Sequence, residues 1–150
     1  MALDWTLASL HHLAIFSLAA ILAFELALTA DAVDGRAALR LSRVDAWYGA
    51  LAALALAAGL ARVFLGDKGP QYYGVNALFW IKMALFAAIA GISVLPTLRY
   101  VLWRREARLD AEFTAPKAEI ARVRAVLWAE VALFALMPIA AAGMARGYGL

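Results

Sequence analysis

The chain has 150 residues, of which 66% are hydrophobic, against about 45–50% apolar in an ordinary soluble domain. Its mean hydropathy is +0.78, and four spans of about 20 residues with short connections nearly exhaust it, leaving no room for a separate soluble domain. The net charge of +3 does not point to nucleic acid, because no basic stretch carries interleaved aromatics or a known reading motif. Without cysteine, disulfides, thiolate metal sites and iron–sulfur clusters are excluded.

The first apolar run covers about residues 7–30. The segment before it holds Asp4 and no Lys or Arg, so the positive n-region of a signal peptide is missing, and the run is too long for an h-region. It reads as a span. The second run, 44–65, is rich in Ala and Leu, and Gly66-Asp67-Lys68-Gly69-Pro70 after it is a turn signal. Gln71-Tyr72-Tyr73 then supplies aromatics suited to a membrane interface. The third run, 75–101, contains Pro96, which predicts a kink or an early end near that residue. A polar stretch around 106–118 follows, with Pro116 as a breaker, and the fourth run covers 120–144 with Pro138 inside it. The expected architecture is all-α: an integral membrane four-helix bundle, up-down-up-down, formed by residues 1–150 as one transmembrane domain.

Basic residues set the expected orientation. The first connection carries Arg36, Arg40 and Arg43; the third carries Arg104, Arg105, Arg108 and Lys117. In a four-span chain these loops lie on one side, and the positive-inside rule makes that side cytoplasmic. The expected location is the bacterial inner membrane, multi-pass, with both termini periplasmic.

Small residues let helices approach closely in lipid. On the first helix Ala8, His12, Ala19 and Ala23 share a face by helical spacing, and on the second Tyr48, Ala55, Gly59 and Arg62 do; both stripes are expected to face the interior.

Ionisable groups inside spans are costly and are functional candidates by default. His11, His12, Arg62 and Lys82 converge by depth in the outer leaflet from three helices. Two cations close together repel unless an anion lies between them, which suggests a propionate, a quinol oxygen or a phosphate; the bland reading is that Arg62 and Lys82 snorkel to the headgroups. For the histidines, one reading is a hydrogen-bonded interior His beside an interfacial one. The other is axial ligation of haem iron, with His12 as the metal ligand because it lies on the small-residue stripe. Lys82 shares its face with Phe79, Phe86, Ile89, Ser93 and Tyr100. Glu25 and Asp45 are expected to pair with Arg43 or Arg99 near the cytoplasmic surface. Glu130, at mid-depth, is expected to be protonated or to meet Lys82, and Met137 on its face is core or a soft axial ligand.

Leu10-His11-His12-Leu13-Ala14, Asp45-Ala46-Trp47-Tyr48-Gly49, Gly66-Asp67-Lys68-Gly69 and Phe79-Trp80-Ile81-Lys82-Met83 resemble a family of uncharacterised bacterial four-span membrane proteins over nearly the whole chain, which implies fold and location but no activity. A second resemblance, carried by His12, Lys82 and Gly91, is to the haem-binding, membrane-embedded protoporphyrinogen oxidase and beyond it to copper-resistance D-type domains. That family has a further His shortly after the glycine, where this chain has Ser93. The resemblance implies a tetrapyrrole site marked by His12 and Lys82. The leading expectation is a redox protein with a haem b or related tetrapyrrole ligated by His12, Lys82 and Arg62 on its propionates, and electrons exchanged with quinone. The competing expectation is a non-enzymatic membrane protein that associates with a partner complex or with copies of itself; an ion conduit using Glu130 and Lys82 ranks below both.

Overall fold

The computed structural model describes residues 1–150 and contains five helices: α1 (Ala2–Leu28), α2 (Gly35–Leu65), α3 (Gly69–Val75), α4 (Ala77–Leu109) and α5 (Lys117–Ala145). All except α3 are long and apolar enough to cross a bilayer. They run up-down-up-down and pack as a ring in the order α1, α2, α4, α5, with α1 on α2 and α4 on α5 the most extensive pairs. The protein is an all-α membrane bundle.

The helices extend beyond the apolar runs because local caps, rather than hydropathy, set their ends. Asp34 begins α2 by accepting a hydrogen bond from the Ala37 N–H at 2.8 Å, nine residues before the apolar run starts. Asn76 begins α4 by accepting from the Leu78 and Phe79 N–H groups at 3.0 and 3.3 Å, satisfying donors that a helix start leaves free. Pro96 does not end α4, contrary to the early end its ring predicts; the helix continues from Ala77 to Leu109 with Pro96 buried inside it. Membrane helices tolerate such a proline because neighbouring groups take up the freed backbone carbonyl.

One end of the bundle, the basic end, gathers the α1–α2 and α4–α5 connections. They meet where the Ala115 N–H donates to the Val33 carbonyl at 2.9 Å, with Val33, Phe113 and Ala115 buried between them. Beneath them Glu119 accepts from Trp103 Nε1 at 2.9 Å and from Arg99 at 3.2 Å. Arg124 donates to the Leu26 carbonyl at 2.8 Å, satisfying an acceptor in the last turn of α1.

The opposite end carries both termini and the short α3. Gly69 opens α3 at φ +73°, a left-handed conformation that an L side chain resists. Tyr73 is buried under this cap, and Tyr72 donates to the Met144 carbonyl at 2.9 Å, tying α3 to the end of α5.

Candidate functional site

The interior holds two neighbouring cavities. The one nearer the termini measures about 90 Å³ and is lined by His11 of α1, Arg62 of α2, Lys82 and Phe79 of α4, Met137 of α5 and Tyr73 of α3. The second measures about 330 Å³ and is lined by Asp45, Tyr48, Ser93 and Thr97 among apolar side chains. Ile15, Phe86 and Met137 are common to both walls, so the cavities adjoin along the bundle.

Of the four residues expected to converge near the termini, three do: His11, Arg62 and Lys82 line one cavity. His12 does not. Its side is exposed, and its Nδ1 is satisfied within its own helix by the Ala8 carbonyl at 2.6 Å. The face of α1 turned inward runs through His11, Ala14, Leu18, Leu22 and Glu25, not through the stripe of Ala8, His12, Ala19 and Ala23. Adjacent helical residues point about 100° apart, so only one of the two histidines can face the interior. The α2 stripe is turned inward: Tyr48 and Ala55 are buried, and Gly59 and Arg62 partly so.

His11 is fixed by α2. Its Nδ1 lies 2.8 Å from the Ala55 carbonyl. A carbonyl only accepts, so Nδ1 carries the hydrogen and donates it, and in the neutral ring Nε2 is left as an acceptor. The close approach depends on Gly59: a Cβ there would lie 3.2 Å from His11 Cε1 and 3.3 Å from Nδ1.

Arg62 has a partner that the hydropathy profile hid. Its Nε donates to Asp4 at 3.3 Å. Asp4 sits ahead of the first apolar run, but α1 already starts at Ala2, which brings the carboxylate into the first helical turn. Lys82 is in none of the three ion pairs, and no carboxylate lines its cavity. Tyr73 packs edge-on against Tyr72 and tilted on Phe79, with centroids 5.4 and 5.6 Å apart, closing the cavity toward the termini.

The intramembrane acids have different partners from those expected. Glu25 and Asp45 pair with neither Arg43 nor Arg99. Glu25 accepts from the Tyr100 hydroxyl at 3.4 Å and Asp45 from the Thr97 hydroxyl at 2.8 Å. Arg99 is held by Glu119 and Arg43 by the Leu39 carbonyl. Glu130 does not meet Lys82; it accepts from the Tyr48 hydroxyl at 3.2 Å. The two tyrosines therefore bridge the diagonals of the ring, Tyr48 from α2 to α5 and Tyr100 from α4 to α1. Both stood on interior stripes in the sequence; their role shows only when the opposite helix supplies an acid.

The family described as predicted membrane protein (DUF2214) matches residues 3–149. The chain belongs to this family. Membership in DUF2214 agrees with a membrane protein and assigns no chemistry to either cavity. No curated protein and no solved structure matches the chain, so the likeness to the haem-binding oxidase rests on sequence motifs alone. His12, the expected axial ligand, faces outward and does not line the cavity of about 90 Å³. His11, with Nε2 as an acceptor, is the one imidazole turned toward the cavity.

Proposed function

We propose that the protein binds the polar ring of a lipid-soluble quinone in the cavity bounded by His11, Lys82 and Tyr73, with the aliphatic tail in lipid, and serves redox chemistry in the membrane. One observation carries this reading. A fixed imidazole acceptor and an ammonium outside every ion pair lie on the wall of the same apolar cavity. Few placed polar groups in an apolar wall are the usual make-up of a small-ligand site. His11 accepts a ring hydroxyl's hydrogen bond through Nε2, and Lys82 donates to a ring oxygen, a charge-assisted bond in an apolar setting. Arg62, neutralised by Asp4, sits at the rim. A quinone supplies electron exchange coupled to protons; the protein's part is to orient the ring and to shield it from water.

Quenching of tryptophan fluorescence by a short-chain quinone, titrated into the detergent-solubilised protein, tests this. The expected result is saturable quenching, weakened by Lys82→Met. Non-saturable quenching, equal in both proteins, refutes the reading, and a Soret band in the purified protein assigns the cavity to a tetrapyrrole instead.

A second reading, association with a membrane partner, is favoured by α4. Only 6% of its most apolar stretch is buried, against 17–22% in the other three long helices. Ala84, Ala87, Ala88 and Gly91 are exposed on it at helical spacing, a row on which a further transmembrane helix packs closely.

The location in this proposal is the bacterial inner membrane with both termini periplasmic. The support is that the basic connections meet at one end, which the positive-inside rule makes cytoplasmic. Reporter fusions at Asp67 are expected to read periplasmic and fusions at Leu109 cytoplasmic; the reverse pattern would overturn it.

A further inference from the structure

The larger cavity lies beside a group of acids that the ligand cavity does not use. Glu25 of α1, Asp45 of α2 and Glu130 of α5 are 3%, 8% and 1% exposed, and they are drawn to one level of the bundle: Thr97 and Tyr100, one turn apart on α4, bond Asp45 and Glu25, and Tyr48, one turn from Asp45 on α2, bonds Glu130. Each is hydrogen-bonded by one neutral hydroxyl: Tyr100, Thr97 and Tyr48 respectively. In addition, Oε1 of Glu25 and Oε1 of Glu130 are buried with no hydrogen-bond partner. A buried polar atom without a partner is rare and calls for a cause.

No cation answers these acids. On α2, Arg43 turns to the Leu39 carbonyl. On α4, Arg99 is paired with Glu119, and Arg104 reaches Ser42 at 3.5 Å. On α5, Arg124 is spent on the Leu26 carbonyl and the Thr29 hydroxyl. The ionisable groups of α1 on the same inward face are Glu25 itself and His11, which lies about four turns away in the other cavity. Three ionised carboxylates in one apolar interior repel one another and lack compensation. The acids are also not grouped as a metal-ligand set. What remains is the proton. A protonated carboxyl is uncharged, so loading a proton removes the charge that this apolar interior opposes, and its O–H adds a donor.

An exchange route is built in. The cavity of about 330 Å³ is bordered by Asp45, Tyr48, Ser93 and Thr97. A water molecule occupies about 30 Å³ of liquid and requires a few polar partners, so this volume admits several. Tyr48 stands on the cavity wall and donates to Glu130, which does not line it, and Thr97 donates to Asp45 on the same wall.

We propose that Glu25, Asp45 and Glu130 form a proton-binding carboxyl cluster that exchanges protons with water through the cavity bordered by Asp45, Tyr48, Ser93 and Thr97. Each loading step is the addition of one proton to one carboxylate, giving a carboxylic acid, and requires no further reactant. The cluster does not depend on what the His11–Lys82 cavity binds.

Infrared difference spectroscopy on the full protein in lipid nanodiscs, stepped in pH, tests the assignment. A carboxylic-acid carbonyl band that rises and falls with pH and shifts in D₂O is expected. Glu130→Gln should remove part of it. Tyr48→Phe, which removes a donor and keeps the ring, should shift the frequency of the Glu130 component; this variant serves if Glu130→Gln does not fold. No pH-dependent acid band, or a band unchanged in both variants, overturns the proposal. A band lost on adding sodium at constant pH also overturns it, because the occupant is then a metal cation.

Discussion

His11 of α1 is bonded through Nδ1 to the Ala55 carbonyl of α2 at 2.8 Å, whereas His12 beside it is bonded to Ala8 of its own helix. One histidine therefore joins two helices and lines the cavity, and the other is exposed on the outer surface. His11→Phe should weaken quinone binding about fivefold to tenfold, the loss of roughly 1 kcal/mol for one hydrogen bond. His12→Phe should leave it unchanged. The titration of quenching in the two variants checks this; equal losses would count against His11 as the ligand contact.

Gly59 controls the same contact from the other side. Gly59→Leu drives a side chain into the His11 ring, because even its Cβ would stand 3.2 Å away. Overpacking of this kind costs about 1–3 kcal/mol. Gly49→Ala, where nothing lies within 4 Å of a new Cβ, should be neutral or slightly stabilising, since alanine is the better helix former. Thermal unfolding in detergent distinguishes them: a clear drop in Tm for Gly59→Leu and none for Gly49→Ala.

At the basic end, Glu119 satisfies both Trp103, which is 1% exposed, and Arg99. Glu119→Ala leaves the buried indole N–H without its acceptor, at a cost of about 1–3 kcal/mol. Arg105→Ala, on an exposed side chain of the same helix as Trp103, should change stability by less than about 0.5 kcal/mol. Unfolding midpoints of the two variants in the same detergent test the comparison.

The spans were legible because hydropathy reports lipid contact, and four long apolar runs leave little choice of fold. The helix starts were not, since they are fixed by Asp34 and Asn76 as caps and by polar turns that hydropathy counts against a span. Asp4 falls outside the first apolar run for that reason, although it lies in the first turn of α1. Between His11 and His12 the alanine stripe of α1 is a weak guide to the interior, because Ala23 on it is exposed. A stronger signal was present. Glu25 lies about four turns from His11 at 3.6 residues per turn, and a carboxyl in a span marks the protein-facing side more strictly than alanine does. The tyrosine–acid pairs were illegible in principle, because each joins helices that no local pattern brings together.

Lys82 offers the sharpest separation between a ligand site and a structural interior. Its ammonium lies on the cavity wall, outside every ion pair and without a carboxylate in the lining. If the ammonium has no partner within the fold, replacing it by an apolar chain of similar length removes the cost of holding a charge in the membrane, about 2.5–3.5 kcal/mol for lysine at a helix centre and less toward the ends. If it serves a ligand, the same change removes a charge-assisted hydrogen bond, about 1.5–3 kcal/mol, or roughly tenfold to a hundredfold in affinity. Lys82→Met should therefore raise or preserve the unfolding midpoint and at the same time weaken saturable quinone quenching by that factor. Lys82→Arg should keep the charge but misplace it, because the planar guanidinium is bulkier than the ammonium and Phe79 and Met83 crowd the same wall; partial binding is expected. Saturable quenching that survives Lys82→Met at wild-type affinity would show that the cavity is not the binding site, and a large fall in stability would show instead that the ammonium holds the bundle together.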